Sequence, residues 1–333
     1  MRFGYWMPIF GGWLRNVPDE GMPVSWEYVR DLTVASERHG FDLTLIAELN
    51  LNDIKGHRAP SLDCWTLAPA LAAVTGRLEL MLAVRPNYHS PSLTAKALST
   101  LDIIAPGRVS LNVVSSWWRD ESAQYGAPFD EHDARYARTQ EWLEVVSRLL
   151  REDTVTHHGP LYDLAGTVLE PKPSRVPPVY MGGESPKAKE VISNLADAYV
   201  MHGDPPDVIA GKVAEMSARR AQAGRPPLTF GVAGYVICRD TESEAKAELA
   251  ASSTSGPHPR PTRPTRISSP VPSSNRGFRW RNTASPTGGC APGWSARRNR
   301  SSSGCGPTNG PEPVSCCCSS PRSTRKWPGS AGM

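Results

Sequence analysis

Two short stretches hold residue types at spacings that can do chemistry. In "MGGESPKAKE", residues 181–190, two glycines follow a strand-like run and let the backbone approach a ligand closely. Ser185 is placed to cap a helix opened by Pro186, and a free helix amino end attracts anions. The plainer alternative is a tight turn with an ordinary cap, and Glu184 opposes a phosphate unless its side chain turns away. In "DEHDARY", His132 and Tyr136 stand four apart, on one face of a helix. Together they can hold a phosphate or a ring edge; a surface histidine beside a core tyrosine is the plainer alternative. The sequence carries no Walker loop, no G-x-G-x-x-G after a strand, no G-x-S-x-G, no H-E-x-x-H and no C-x-x-C. Metal chemistry therefore has no support, and His157 and His158 fall in an expected hairpin where solvent exposure accounts for them.

These residues need elements to position them. "RFGYWMPI", "FDLTLIAE", "LELMLAVRP", "RVSLNVVSS", "PPVYMGG", "DAYVMHG" and "LTFGVAGYVICRD" read as seven strands, and a helical pattern follows each of the first six. In the first of these helices Ser25 is the expected cap, Gly40 the stop, and Tyr28, Leu32, Ala35 and Ser36 the buried face. The run "LELMLAVRP" is almost wholly apolar, as in a strand covered on both faces. "TVTHHGPLYDLAGTVLEPKP" reads as a hairpin insertion. Such alternation predicts a parallel sheet, expected as a (β/α)8 TIM-barrel of which an open doubly wound sheet is the alternative. In a barrel the chemistry sits at the carboxyl ends of the strands. That edge collects Met7 and Pro8, residues 48–52, 85–88, 115–118 and 182–185 together with His202 and Gly203, several of them fit to grip a planar cofactor.

The chain changes character near residue 251. Residues 1–250 carry 25 Lys and Arg against 32 Asp and Glu, whereas residues 251–333 carry 12 against 1. The remainder holds 17 Ser, 13 Pro and 11 Arg with no strand or helix period, a composition expected to stay disordered. Two domains follow: 1–250, a barrel domain incomplete by its eighth strand-helix unit, and 251–333, a Pro/Ser/Arg-rich tail that reads as out-of-frame translation. Only Cys64 and Cys238 lie in the first 250 residues, which suits a reducing, cytoplasmic compartment, and no stretch is long and apolar enough to span a bilayer.

The stretch "RVSLNVVSSWWRDESAQYGAPFDEHDARYARTQEWL", with "LAVRP", "LEPKP" and "MGGESPKAKEVI", resembles the bacterial-luciferase-like flavin monooxygenases, particularly the alkanesulfonate and dimethyl sulfone group. The resemblance covers residues 1–250. It implies a luciferase-like barrel that receives reduced FMN (FMNH2) from a separate NAD(P)H-dependent FMN reductase and uses O2 to oxygenate a small organosulfur substrate, breaking a C–S bond. It also implies Ser115, His132, Tyr136, Gly183 and Ser185 as FMN-site residues, with Arg85 near the flavin or a substrate anion. His202 and Tyr235 are the further catalytic candidates. At the seventh strand this chain has Ala233 and Tyr235 where the alkanesulfonate enzymes have Arg and His, and His202 stands where they have Trp. Lacking those cations, a neutral sulfone fits better than a sulfonate, because an unpaired buried anion is costly.

Three function classes stay open on the sequence: this monooxygenase, an inactive barrel fragment, and nonspecific nucleic-acid binding through the basic tail. The last has no RNA-binding, zinc or helix motif behind it, so no nucleic-acid partner is expected. A homo-oligomer is expected if the barrel is complete.

Overall fold

The computed structural model describes residues 1–15 and 17–253. The expectations for the tail and for a missing eighth unit fall outside the described residues. In chain order the first elements are β1 (Gly4–Trp6), α1 (Trp26–Arg38), β2 (Leu43–Ile46), α2 (Cys64–Val74), β3 (Glu79–Val84), α3 (Pro91–Ile104) and β4 (Val109–Val113). Then follow α4 (Arg119–Gln124), α5 (His132–Leu149) and a hairpin, β5 (Val155–His158) and β6 (Asp163–Thr167). The series ends with β7 (Val179–Met181), α6 (Pro186–Leu195), β8 (Ala198–His202), α7 (Pro206–Gln222), β9 (Thr229–Ala233) and α8 (Glu242–Ser253).

Seven strands pair in parallel in the order β1-β2-β3-β4-β7-β8-β9, and β5 pairs with β6 alone. The order never reverses, as it must in a doubly wound sheet, so the winding is that of a barrel. The sheet is curled into the greater part of one. Arg2, just before β1, donates to the Tyr180 hydroxyl of β7 at 3.3 Å and pairs with Glu79 of β3 at 2.9 Å, a reach that a flat sheet does not allow.

Alternation along the strands sorts the two faces. Leu80, Leu82 and Val84 of β3 and Val109, Leu111 and Val113 of β4 point outward into one large core shared with the helices. Leu45, Met81 and Ala83 form a small inner cluster with Leu43 and Tyr180. All six residues of β3 are buried, which is why that strand reads as an unbroken apolar run. β1 and β9 end the strand order and are mostly solvated.

Local corrections to the sequence reading have physical causes. Ser25 does cap α1, accepting from the Tyr28 N–H at 3.2 Å, and Gly40 lies at φ +88°. The buried face, however, is Val29, Thr33 and Ser36, with Tyr28 and Leu32 flanking it. The two hydroxyls are satisfied within the helix, Thr33 by the Val29 carbonyl at 2.5 Å and Ser36 by the Thr33 carbonyl at 2.8 Å, so polar residues can face the core. The first strand is also shorter than expected, since Met7, Ile9 and Phe10 are buried in the loop beyond it.

In the turn into β3 a carboxylate from another helix satisfies the backbone N–H groups. Glu37 of α1 accepts from the N–H groups of Gly76 at 3.0 Å, Arg77 at 2.5 Å and Leu78 at 2.7 Å. Burial works to raise its pKa, but the three N–H groups outweigh it and hold Glu37 below its ordinary value of 4.5. A depressed carboxylate stabilises above its unfolded pKa and loses that contribution as pH falls through its folded pKa. Glu37→Gln is therefore expected to cost about 1 kcal/mol in urea unfolding at pH 7, with the deficit shrinking below pH 4.5; an equal deficit at pH 3 contradicts the carboxylate role.

Candidate active site

The carboxyl edge of the sheet gathers most of the expected cofactor residues around α5. Ser115 follows β4, and its hydroxyl meets that of Thr139 at 2.8 Å. One turn earlier on the same helix Tyr136 reaches Gly183, where an added Cβ would lie 3.2 Å from the Tyr136 hydroxyl and 2.7 Å from the Ala188 Cβ. With φ at +153° as well, Gly183 must be glycine: its bare backbone is held between Tyr136 and the first turn of α6. Tyr199, buried in β8, donates to the Gly183 carbonyl at 3.1 Å. Burial pushes the Tyr199 phenol up, so it stays a donor.

Ser185 caps α6 as expected, accepting from the Ala188 N–H at 3.1 Å, and the first turn of α6 carries no acidic side chain. The objection raised by Glu184 is answered by α7. Lys212 takes the Glu184 carboxylate and also pairs with Asp204 at 2.5 Å, and the two acids raise the Lys212 pKa. Glu184 is thus neutralised and turned toward α7. The residual field at the amino end of α6 is that of its backbone, which favours an anion. His132 is one turn before Tyr136, its ring 5.1 Å from the tyrosine ring, half-exposed and bonded to Asp133 at 2.6 Å.

Arg85 lies elsewhere, in a buried network. It sits at the end of β3, 1% exposed, and forks onto both oxygens of Glu121, which is fully buried in α4. The Glu48 carboxylate accepts from the Arg85 backbone N–H at 2.7 Å and faces its Nε at 3.6 Å, and His89 bonds the other Glu48 oxygen. Burial works to lower the Arg85 pKa, but Glu121 and Glu48 outweigh it and the pKa is raised. The guanidinium is permanently charged and its charge is balanced by these carboxylates, although its Nε is buried without a hydrogen-bond acceptor among the described residues. His202 and Tyr235 are exposed at the ends of β8 and β9, Tyr235 by 79%. Neither joins the Ser115–Tyr136–Ser185 group.

Sequence reasoning missed α4, which supplies Glu121, and the partners Thr139, His89 and Lys212. It also misplaced His157. Only His158 is exposed, whereas His157 is largely covered and bonds Glu141 at 3.1 Å. The same Glu141 oxygen accepts from the N–H of Tyr162 at 2.9 Å, so His157 closes the hairpin onto α5.

Aromatic side chains add flat apolar surfaces to the loops. Trp117 and Trp118 stack with centroids 5.5 Å apart, His57 lies 4.9 Å from Trp118, and Trp13 packs edge-on against Trp6 and Phe10. Among the described residues no three His, Cys, Asp or Glu side chains are arranged to hold a metal, and no helix is long and apolar enough to cross a membrane.

Bare glycine backbone, a capped helix amino end and two hydroxyls, with the nearest acid neutralised, suit the phosphate of a flavin mononucleotide. Comparison with known proteins points the same way. The family described as luciferase-like monooxygenase matches residues 1–296, beyond the limit near residue 250 that the sequence motifs marked. The FMNH2-dependent dimethylsulfone monooxygenase of Pseudomonas putida is 33% identical over 254 residues, 75% of this chain and 69% of that protein. The enzyme of the same name from Pseudomonas fluorescens (strain Pf0-1) is 32% identical over 75% of this chain and 68% of its own. Among solved structures, long-chain alkane monooxygenase LadA superposes with a TM-score of 0.68, at 22% identity over 77% of this chain and 69% of its own. The chain thus spans about two thirds of the length of these relatives.

Proposed function

The chain belongs to the luciferase-like monooxygenase family, and we propose that it uses reduced FMN and O2 to oxygenate a small neutral organosulfur compound, a sulfone, with cleavage of a C–S bond. The observation that carries the cofactor assignment is the convergence of Tyr136, Gly183 and the Ser185-capped helix beside a Glu184 held by Lys212. Ser115 and His132 extend that surface from β4 and from the start of α5. Reduced flavin, when bound, supplies the two electrons and two protons that the reaction consumes. One oxygen atom of O2 ends in the carbonyl product and the other in water, while sulfur leaves as a sulfinate.

The residues of this chain have three tasks. Tyr136, Ser185 and the N–H groups opening α6 hold the cofactor phosphate. The aromatic rings of Trp13, Trp117 and Trp118 offer apolar surface that limits water. Arg85 organises the loops rather than greeting an anion, because Glu121 takes both of its Nη groups and Glu48 adds a second negative charge beside its Nε. With one guanidinium between two carboxylates there is no net positive charge there for a sulfonate, which favours the neutral substrate. This reading also keeps the dimethylsulfone monooxygenase relatives ahead of the sulfonate alternative.

The test is turnover of the full chain with an NAD(P)H-dependent flavin reductase and dimethyl sulfone in air. Equal amounts of formaldehyde and methanesulfinate are expected, and methanesulfonate should react at least about tenfold more slowly, the scale set by one unpaired charge. A folded sample that yields no sulfinate, or that prefers the sulfonate, overturns the reading. A second measurement isolates the role of Lys212. Lys212→Met frees Glu184 beside the α6 amino end and is expected to weaken FMN binding about two- to fivefold, the scale of one charge at a helix terminus. Adding Glu184→Gln should restore it; weakening that persists in the double variant contradicts this role.

A further inference from the structure

We propose that the exposed face of Trp117 is the stacking surface for the ring system of reduced FMN, so that the loop after β4 holds the flavin by its ring while Tyr136, Gly183 and the amino end of α6 hold it by its phosphate. This rests on the cofactor assignment above and adds a ring-binding residue to it. Trp117 is 52% exposed. Its ring lies parallel to that of Trp118, within 6° and with centroids 5.5 Å apart, and its other face meets no ring among the described residues. The other exposed aromatic side chains near this edge are engaged differently. Trp6 meets Trp13 at 72°, edge-on, and the Tyr125 hydroxyl donates to the Asn50 carbonyl at 2.8 Å.

The stack is built before any ligand arrives. His57, in the loop after β2, meets the Trp118 ring at 4.9 Å. Because β3 lies between β2 and β4, the three rings bridge the carboxyl end of β3, the edge where a barrel does its chemistry. The Trp118 carbonyl accepts from the Ser122 N–H at 3.2 Å and from the Ser122 hydroxyl at 3.1 Å. On the other side Ser116 has φ +45°, the only non-glycine residue with positive φ among those described, and such strained conformations collect at ligand sites. Its hydroxyl donates to the Asn87 side-chain carbonyl, and the Asn87 amide donates to Ser122 Oγ at 3.3 Å and the Pro128 carbonyl at 3.2 Å. Trp117 is thus held from both neighbours, and a ring fixed in advance loses little freedom when another ring lies on it.

Connectivity and chemistry select the flavin as the occupant. Trp117 is two residues after Ser115, whose hydroxyl meets Thr139 at 2.8 Å, and Thr139 is one turn along α5 from Tyr136. Two residues reach at most about 7 Å, a span that the five-carbon ribityl chain between flavin ring and phosphate can cover. An indole face takes a flat, uncharged ring, which favours offset stacking, and dimethyl sulfone has no ring to offer.

The experiment is anaerobic calorimetric titration of the full chain with reduced FMN and with reduced riboflavin, which has the ring and no phosphate, for the unchanged protein, Trp117→Leu, Trp117→Phe and Ser185→Ala. The unchanged protein is expected to bind riboflavin, more weakly than FMN. Trp117→Leu should weaken both ligands by the same factor, about three- to tenfold, the scale of one ring-on-ring contact. Trp117→Phe, which keeps a flat face, should weaken both less, and Ser185→Ala should weaken FMN alone. Thermal melting verifies that the variants fold. A folded Trp117→Leu that binds both flavins as the unchanged protein does, a loss confined to FMN, a loss as large in Trp117→Phe as in Trp117→Leu, or no riboflavin binding each overturns the proposal. Binding is read without turnover. Unchanged protein that binds neither flavin refutes the cofactor assignment itself, whereas FMN binding that ignores Trp117 refutes the ring surface alone.

Discussion

Glu121→Gln is expected to lower stability by about 3–5 kcal/mol, the cost of stranding one partner of a buried ion pair. Glu121 is fully buried, holds Arg85 with both oxygens, and accepts from the N–H of Leu51 at 3.3 Å in the loop after β2. Gln keeps the shape but presents an amide N–H toward the guanidinium and removes the charge. Arg85, 1% exposed, then has only Glu48 to balance it, across 3.6 Å from its Nε. The check is the urea midpoint at constant slope, and a loss below about 1 kcal/mol contradicts the account. The double change Arg85→Met with Glu121→Leu should recover much of the loss, because apolar replacement of a whole buried pair is often neutral. It should not recover activity, since the loops after β2 and β3 lose the group that joins them.

The second large effect falls on Trp142, which is fully buried in α5 and donates through Nε1 to the His89 carbonyl at 3.0 Å. Trp142→Ala is expected to cost about 3–5 kcal/mol, the range for truncating a core aromatic residue. Trp142→Phe keeps most of the volume and loses less. The same helix carries Arg135, Tyr136 and Thr139, so the alanine variant should also weaken FMN binding. Paired melting and flavin titration check this. A variant that melts normally, or that melts early yet binds flavin with unchanged affinity, contradicts the coupling of core to site.

These two residues also show what the sequence can and cannot disclose. The strands were legible because burial on both faces leaves an apolar run, as in β3, and Ser185 and Gly183 were legible because a helix cap and a close approach each demand particular residues. Glu121 was not. It lies in a six-residue helix, α4, too short to show a period, and its partner Arg85 stands 36 positions away. Lys212 and Glu184 are 28 apart and meet because α7 packs against α6, whose start Glu184 precedes. His157 reads as a loop histidine until α5 brings Glu141 against it. Local chemistry marks the places where the backbone is constrained, whereas long-range charge pairing is settled by the winding of the sheet.

The central claim is that the surface formed by Tyr136, Gly183 and Ser185 holds the phosphate of reduced FMN. Anaerobic fluorescence titration of the full chain with reduced FMN tests it most directly, alongside Tyr136→Phe and Ser185→Ala. The account predicts saturable one-to-one binding, weakened about tenfold by each change, the value of a hydrogen bond to a charged group. Folded protein that binds no reduced FMN, or that binds it equally well in both variants, would contradict it.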